Sequence, residues 1–213
     1  MHLKHISKLY GLEDPLNCLK NEIAPKKSKY KEHVLTKITA FHEKELRREA
    51  EKNDKMKYLN VSLIGLRGKL HPALQNVTTT HAVRKMRPHV KMLSGDYLTF
   101  EEKSLQSGGS PYCQMCNIKS EPESLEHLIS RCTGLSDIRT RISDSMNAIC
   151  QDAGLDIDLK TFKNTKFTQF VLDPSSMNLQ KRVNINDPIL PSLFQLSRDF
   201  CFSIDRSRSK ILT

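Results

Sequence analysis

The stretch PYCQMCNIKSEPESLEHLISRC, residues 111–132, carries three of the six cysteines in a chain of 213 residues. Cys113 and Cys116 form a CxxC pair, His127 follows after ten residues, and Cys132 comes after four more. Three sulfurs and an imidazole suit tetrahedral zinc, and a CxxC turn can direct two thiolates at one ion. The spacing therefore predicts that these four side chains bind Zn²⁺.

The second half of the stretch has to fold back toward the CxxC turn. Ser120 and Glu123 have the spacing of a capping box, which predicts a short helix with His127 in its middle. Five residues of unbroken α-helix rotate the chain by about 500°, so His127 and Cys132 would point about 140° apart. Cys132 is therefore expected to lie beyond the helix end, with termination at 133–134.

With all four positions filled by protein, such an ion is expected to be structural and not catalytic. The alternative is that these are ordinary reduced thiols beside a surface histidine. Cys150 and Cys201 fall on apolar helix faces and are predicted to be small buried hydrophobic residues. The pattern assigns no role to Cys18.

Composition points to an intracellular protein, in the nucleus or cytoplasm, because neither a secretory leader nor an apolar membrane-spanning run is visible. In a reducing compartment, clustered cysteines favour metal over disulfides. The net charge is +10 and is unevenly spread: residues 61–100 carry 6 Lys and Arg against 1 acidic residue, whereas residues 101–160 carry 6 against 10. Sustained positive charge predicts RNA or DNA as the partner, with neither a membrane nor a small-molecule substrate. A lysine-rich surface that keeps the protein soluble is the alternative.

The periodicity of apolar residues predicts a mainly α fold, made of one or more small helical domains around the zinc-binding turn and helix. Apolar residues at helical spacing within a long, mostly polar stretch predict a helix over 28–59. Its basic residues alternate with glutamates, as on an ordinary solvated helix face. A second helix over 80–95 is expected to bury Val83, Met86, Val90 and Leu93, to start at a Thr80 cap, to kink or restart at Pro88 and to end at Gly95. Two later helices are predicted with the following apolar faces: Leu135, Ile138, Ile142, Met146 and Ile149 in one, and Leu193, Phe194, Leu196, Phe200 and Ile204 in the other.

Four regions follow from these signals. They are a basic long-helix region over 1–60, a basic helix and flexible connector over 61–110, the zinc module over 111–135, and a helical carboxyl-terminal region over 136–213. No repeat is visible.

The helix over 80–95 carries the best candidate surface for nucleic acid. Arg84, Lys85, Arg87 and Lys91 lie opposite its apolar side with no acidic residue nearby in the sequence, and they are predicted to contact phosphates. Tyr112, beside the first metal ligand, either stacks on an exposed base or packs on the zinc fold.

The segment HAVRKMRPHVKMLSGDYLTFEEKSLQSGGSPYCQMCNIKSEPESLEHLISRCTGLSDIRTRI, residues 81–142, resembles the region downstream of the polymerase in non-LTR retrotransposon reverse transcriptases. The later FVLDPSSMNL (170–179) and LSRDFCFSID (196–205) are similar to the tail that follows that region in animal elements. The resemblance implies that Cys113, Cys116, His127 and Cys132 are CCHC ligands, in a module that helps to hold template RNA or target DNA.

The polymerase and endonuclease of that family do not carry over. Polymerisation needs clustered carboxylates that hold two divalent ions, and no adjacent pair of aspartates occurs in the chain. The expected function is therefore a non-catalytic, zinc-stabilised nucleic-acid-binding module. The alternatives are a zinc-stabilised helical protein-interaction module and a retrotransposon remnant without function.

Overall fold

Helices form the regular structure of the computed structural model, which describes residues 2–12, 26–64, 70–116, 121–176 and 189–212. Within these ranges there is no β-strand, and the mainly α prediction is confirmed. The α-helices of the described residues are α1 (His2–Leu9), α2 (Lys27–Glu51), α3 (Thr80–Ser94), α4 (Phe100–Ser107), α5 (Ser136–Asp152), α6 (Asn164–Leu172) and α7 (Ile189–Leu212). None of the described helices has both the length and the apolar character needed to cross a bilayer.

The chain divides into two compact units, one made of Met1–Lys52 and Val61–Lys69 and the other of Asn53–Asn60 and Leu70–Thr213. The four-region division made from sequence stays a prediction. Cys18 lies outside the described residues.

The first unit contains α1, α2 and a 3₁₀ turn at Val61–Leu63. The ring of Tyr10 meets Phe41 of α2 edge-on, with 5.1 Å between the centroids. The Nε of Arg47 donates to the carbonyl of Ile64 over 3.1 Å and so joins the turn to α2. Among the residues of this unit whose burial is described, only Ser7, Ala50 and Leu63 are buried.

The predicted helix over 28–59 ends eight residues early, at Glu51. Asn53 is the physical reason, because its side-chain oxygen accepts the amide of Lys55 over 3.1 Å and caps a new 3₁₀ turn at Asp54–Met56. A short amide side chain that binds a nearby backbone N–H competes with helix continuation.

The second unit is built on α7, against which α3 and α5 pack. The predicted face of α7 is confirmed: Leu193, Phe194, Phe200 and Ile204 are buried, and Leu196 is partly buried. On the α5 side, Leu135, Ile142, Met146 and Cys150 are buried, and Ile138 and Ile149 pack against the same core. Cys201 is fully buried, so both cysteine packing predictions hold.

The predicted apolar face of α3 is partly wrong. Leu93 is buried, but Val83 is 40% exposed, and the buried positions include Pro88 and His89. The Nε2 atom of His89 lies 2.7 Å from the carbonyl of Leu172, which satisfies one ring nitrogen in the core. Burial lowers the pKa of His89 to about 4, so the ring is neutral at physiological pH.

The ends of α3 differ little from expectation. Thr79, and not Thr80, is the N-cap, and its hydroxyl accepts the amide of Ala82 over 3.1 Å. The helix continues through Pro88 without a restart. Gly95 ends it with φ 72°, and a Cβ there would lie 2.4 Å from the Cβ of Lys55, so only glycine fits.

Candidate metal centre

Four donor atoms from Cys113, Cys116, His127 and Cys132 lie within 4.8 Å of one another and could hold a metal ion. The Sγ atoms of Cys113 and Cys132 are 3.7 Å apart, and the Sγ of Cys116 is 3.4 Å from Nε2 of His127. Bonds of about 2.3 Å to a tetrahedral ion place two sulfurs about 3.8 Å apart. The spacing of the thiols of Cys113 and Cys132 therefore matches a tetrahedral site, and none of the five described cysteines is in a disulfide.

The CxxC turn is held at its base by a short antiparallel contact. Tyr112 and Pro122 form an isolated β-bridge, and the amide of Glu123 donates to the carbonyl of Pro111 over 2.7 Å. This bridge takes the place of the capping box predicted at Glu123. Ser120 lies outside the described residues.

The actual helix cap is Ser124, whose hydroxyl accepts the amide of His127 over 3.1 Å. The helix then widens into a π-turn over His127–Arg131, and the amide of Cys132 donates to the carbonyl of His127 over 2.7 Å. A π-turn bonds five residues apart in place of four, so it changes the angular relation of the two ligands. Cys132 follows the helix as its C-cap, with ψ 118°, so it lies beyond the helix end as predicted. The last helical residue is Arg131, which is earlier than the predicted termination at 133–134.

Glu121 orients the imidazole. Its carboxylate lies 3.0 Å from Nδ1 of His127, and its other oxygen is 2.7 Å from Arg131. A proton on Nδ1 donated to this carboxylate leaves Nε2, the atom facing Cys116, free to bind a metal. Carboxylate–histidine–metal arrangements of this kind fix the tautomer and raise the basicity of the ligand.

Arg139 of α5 holds the other side of the π-turn. Its guanidinium donates to the carbonyl of Ser130 over 2.9 Å and to the carbonyl of Cys132. A divalent ion with three thiolates and a neutral imidazole has a net charge of about −1. The cation of Arg139 complements that charge next to Cys132.

Burial makes the centre a closed one. His127 and Cys132 have no exposed surface and Cys113 is 3% exposed, while Cys116 is partly exposed. The hydrogen bond from the thiol of Cys113 lowers the pKa of Cys132, so Cys132 loses its proton more easily than Cys113 does. Four protein ligands leave no position for substrate, which is the arrangement of structural metal sites.

Gly134 allows the turn after Cys132 to approach the CxxC turn. A Cβ at Gly134 would lie 2.5 Å from the carbonyl oxygen of Met115, closer than real Cβ contacts. Gly134→Ala is expected to push the two pairs of ligands apart, to cost about 1–3 kcal/mol of stability and to weaken zinc binding roughly tenfold or more. Competition with a chromophoric zinc chelator measures this affinity.

Gly154→Ala is the matched control, since Gly154 has φ +69° and no atom within 4 Å of a Cβ. It is expected to cost about 1–2 kcal/mol from backbone strain and to leave zinc affinity unchanged. Equal zinc affinities for the two variants would contradict the role assigned to Gly134.

The residues predicted to bind nucleic acid are only partly available. Arg84, Arg87 and Lys91 are exposed on α3, and Tyr112 is 39% exposed. Lys85 instead lies 2.7 Å from Asp199 of α7, an acidic neighbour that the local sequence does not show.

Three glutamates lie between the second and third metal-ligand candidates in sequence, and in the structure each of them is paired or buried. Glu121 pairs with His127 and Arg131, and Glu126 accepts a hydrogen bond from Thr165. Glu123 is fully buried. The sequence prediction did not include the contacts of Glu121 and Arg139. Their only signal in the sequence is an acid six residues before His127 and an arginine seven residues after Cys132.

Comparison with known proteins identifies no relative. The chain matches no protein-family model, no curated protein and no solved structure. The resemblance to non-LTR retrotransposon reverse transcriptases accordingly remains a prediction from the residues that carry it.

Proposed function

We propose that the chain is a zinc-stabilised, non-catalytic nucleic-acid-binding module. The observation that carries the proposal is a closed Cys₃His donor set in the same unit as an uncompensated basic helix face. Three sulfurs with one imidazole favour zinc over the hard ions that prefer oxygen ligands. The zinc fixes the fold, and the basic face binds the polyanion.

The basic face consists of Arg84, Arg87 and Lys91. Their spacing of three and four residues places them within about 60° of one another around α3. In the described part of the chain, no carboxylate lies within 4 Å of any of the three, and all are exposed. Side chains that have no ion pair to break can neutralise phosphates and release counterions.

Neutralising this face tests the function. The variant Arg84→Gln/Arg87→Gln/Lys91→Gln is expected to bind duplex DNA more weakly, and its log–log salt slope is expected to fall by about 2.7, since each phosphate contact contributes about 0.9. Fluorescence anisotropy with a labelled 20-base-pair duplex between 50 and 200 mM salt measures both quantities.

The control is Lys29→Gln/Lys31→Gln/Lys37→Gln, which removes the same charge from exposed positions of α2. Its slope is expected to match the unmutated protein. Equal slopes for the two triple variants would contradict phosphate binding by α3. Binding of a protein ligand that ignores salt, with no binding of DNA, would favour the protein-interaction alternative.

A further inference from the structure

A cavity of about 240 Å³ opens in the second unit between α5, the 3₁₀ turn Leu159–Thr161 and the first turn of α6. Its apolar side is formed by Leu159, Phe162 and Phe167. Leu159 and Phe167 are nearly buried, and the ring of Phe162 is fixed edge-on against Phe170, with 6.0 Å between centroids. A rigid apolar surface of this kind fits a flat aromatic ligand.

The polar side of the cavity is cationic. Arg139 and Lys160 contribute to its lining, Thr140 and Asn164 add hydrogen-bonding groups, and the described lining includes no acidic residue. Lys160 pairs with Asp144 over 3.2 Å, but both side chains are more than half exposed, so the pair is weak. The chemistry favours a ligand that has an aromatic ring and a negative charge.

Further positive charge flanks the cavity. Lys163 and Lys166 are exposed on either side of Asn164, and neither has a carboxylate within 4 Å among the described residues. The ammonium of Lys166 lies 4.2 Å from the ring centroid of Phe162. An entering phosphate would meet a cluster of cations next to the aromatic side chains.

The cavity is connected to the metal centre through Arg139. The carbonyls of Ser130 and Cys132 hold its guanidinium, and both belong to the turn that carries the ligands. Metal binding fixes this turn and therefore the position of one cavity cation. A positioned cation loses less freedom when a ligand binds.

We propose that this cavity receives one unpaired nucleotide of a single strand, with the base against the aromatic side and the backbone phosphate near Lys160 and Lys163. The proposal rests on the nucleic-acid-binding function above and adds a preference for single strands. Bases of a duplex are paired and stacked, whereas those of a single strand can be splayed into a pocket. Contact of one base with aromatic side chains contributes roughly 5- to 150-fold in affinity.

Thr140→Trp tests the cavity. Thr140 is exposed at its edge and its hydroxyl makes no hydrogen bond in the described structure, so an indole there fills the space without removing a side-chain contact. Ala148→Trp is the control, because Ala148 is exposed on the same helix outside the cavity lining. The full chain contains no tryptophan, so the fluorescence of each variant reports on its own site.

The probes are a labelled 12-nucleotide RNA, the matching RNA duplex, and adenosine monophosphate. The unmutated protein and Ala148→Trp are expected to bind the single strand about tenfold more tightly than the duplex. Thr140→Trp is expected to lose that preference and to keep its duplex affinity within about twofold.

Binding of both RNAs with no effect of Thr140→Trp overturns the cavity proposal alone. Binding of neither RNA by the unmutated protein overturns the cavity proposal, and the proposed function falls with it only if the duplex DNA of the salt series is not bound either. Tight binding of adenosine monophosphate that Thr140→Trp blocks, with equal affinity for the two RNAs, overturns the single-strand assignment in favour of a free nucleotide.

Discussion

Cys132→Ser is expected to abolish zinc binding and to unfold the region around the metal centre. Cys132 is fully buried, and its sulfur lies 3.7 Å from that of Cys113, so the substitution removes one of the four donor atoms from a closed site. A structural zinc ion contributes on the order of 10 kcal/mol of apparent binding free energy in small zinc-binding peptides. That magnitude compares with the roughly 5–15 kcal/mol that stabilises a whole domain.

Hydrogen exchange with mass spectrometry measures the expected loss, as rapid exchange in residues 111–116 and 121–135. Cys150→Ser is the control, because Cys150 is an equally buried thiol outside the donor set. Its buried hydroxyl is expected to cost about 1–3 kcal/mol and to leave zinc bound. A Cys132→Ser protein that keeps zinc and protection at the level of Cys150→Ser would refute the role of Cys132 as a ligand.

Arg208→Met is expected to destabilise the second unit by about 3–5 kcal/mol, because it leaves a buried charge without its partner. Arg208 lies 2.9 Å from the carboxylate of Glu123, which has no exposed surface. The guanidinium also lies over the rings of Phe100 and Tyr97, at 4.6 and 5.5 Å from their centroids. The pair therefore joins the end of α7 to the segment between the metal ligands.

A double-mutant cycle with Glu123→Gln tests the mechanism. Burial raises the pKa of Glu123, and the charge of Arg208 opposes that rise because it favours the ionised carboxylate. If the cost of Arg208→Met comes from the orphaned charge, adding Glu123→Gln is expected to restore about half of the lost stability or more in urea unfolding. Additive costs for the two substitutions would instead assign the loss to packing against the rings.

Local periodicity predicted the helices whose buried faces are continuous. In α5 and α7 the apolar residues recur at helical spacing, and burial follows them. In α3 the burial does not follow the apolar periodicity, because the buried face includes Pro88 and the polar His89. The partner of His89 is the carbonyl of Leu172, and no local pattern indicates a hydrogen bond to such a distant residue.

In the candidate site, too, local sequence predicted some features, whereas contacts that depend on the folded chain were not predicted. The spacing of cysteines and histidine was sufficient to predict that these four donor side chains lie together, because few arrangements place three thiols and an imidazole so close together in sequence. The π-turn and the contacts of Glu121 and Arg139 were not predicted, since each depends on the path of the folded chain. Glu123 was assigned to a helix cap by its spacing from Ser120, whereas its ion pair is with Arg208.

The metal content and coordination of the purified, unmutated protein test the central claim most directly. Elemental analysis is expected to give one zinc per chain, and X-ray absorption is expected to show three sulfurs at about 2.3 Å and one nitrogen at about 2.0 Å. A zinc content far below one per chain after refolding with zinc, or a first shell of oxygen and nitrogen alone, would contradict the claim that Cys113, Cys116, His127 and Cys132 share one zinc ion.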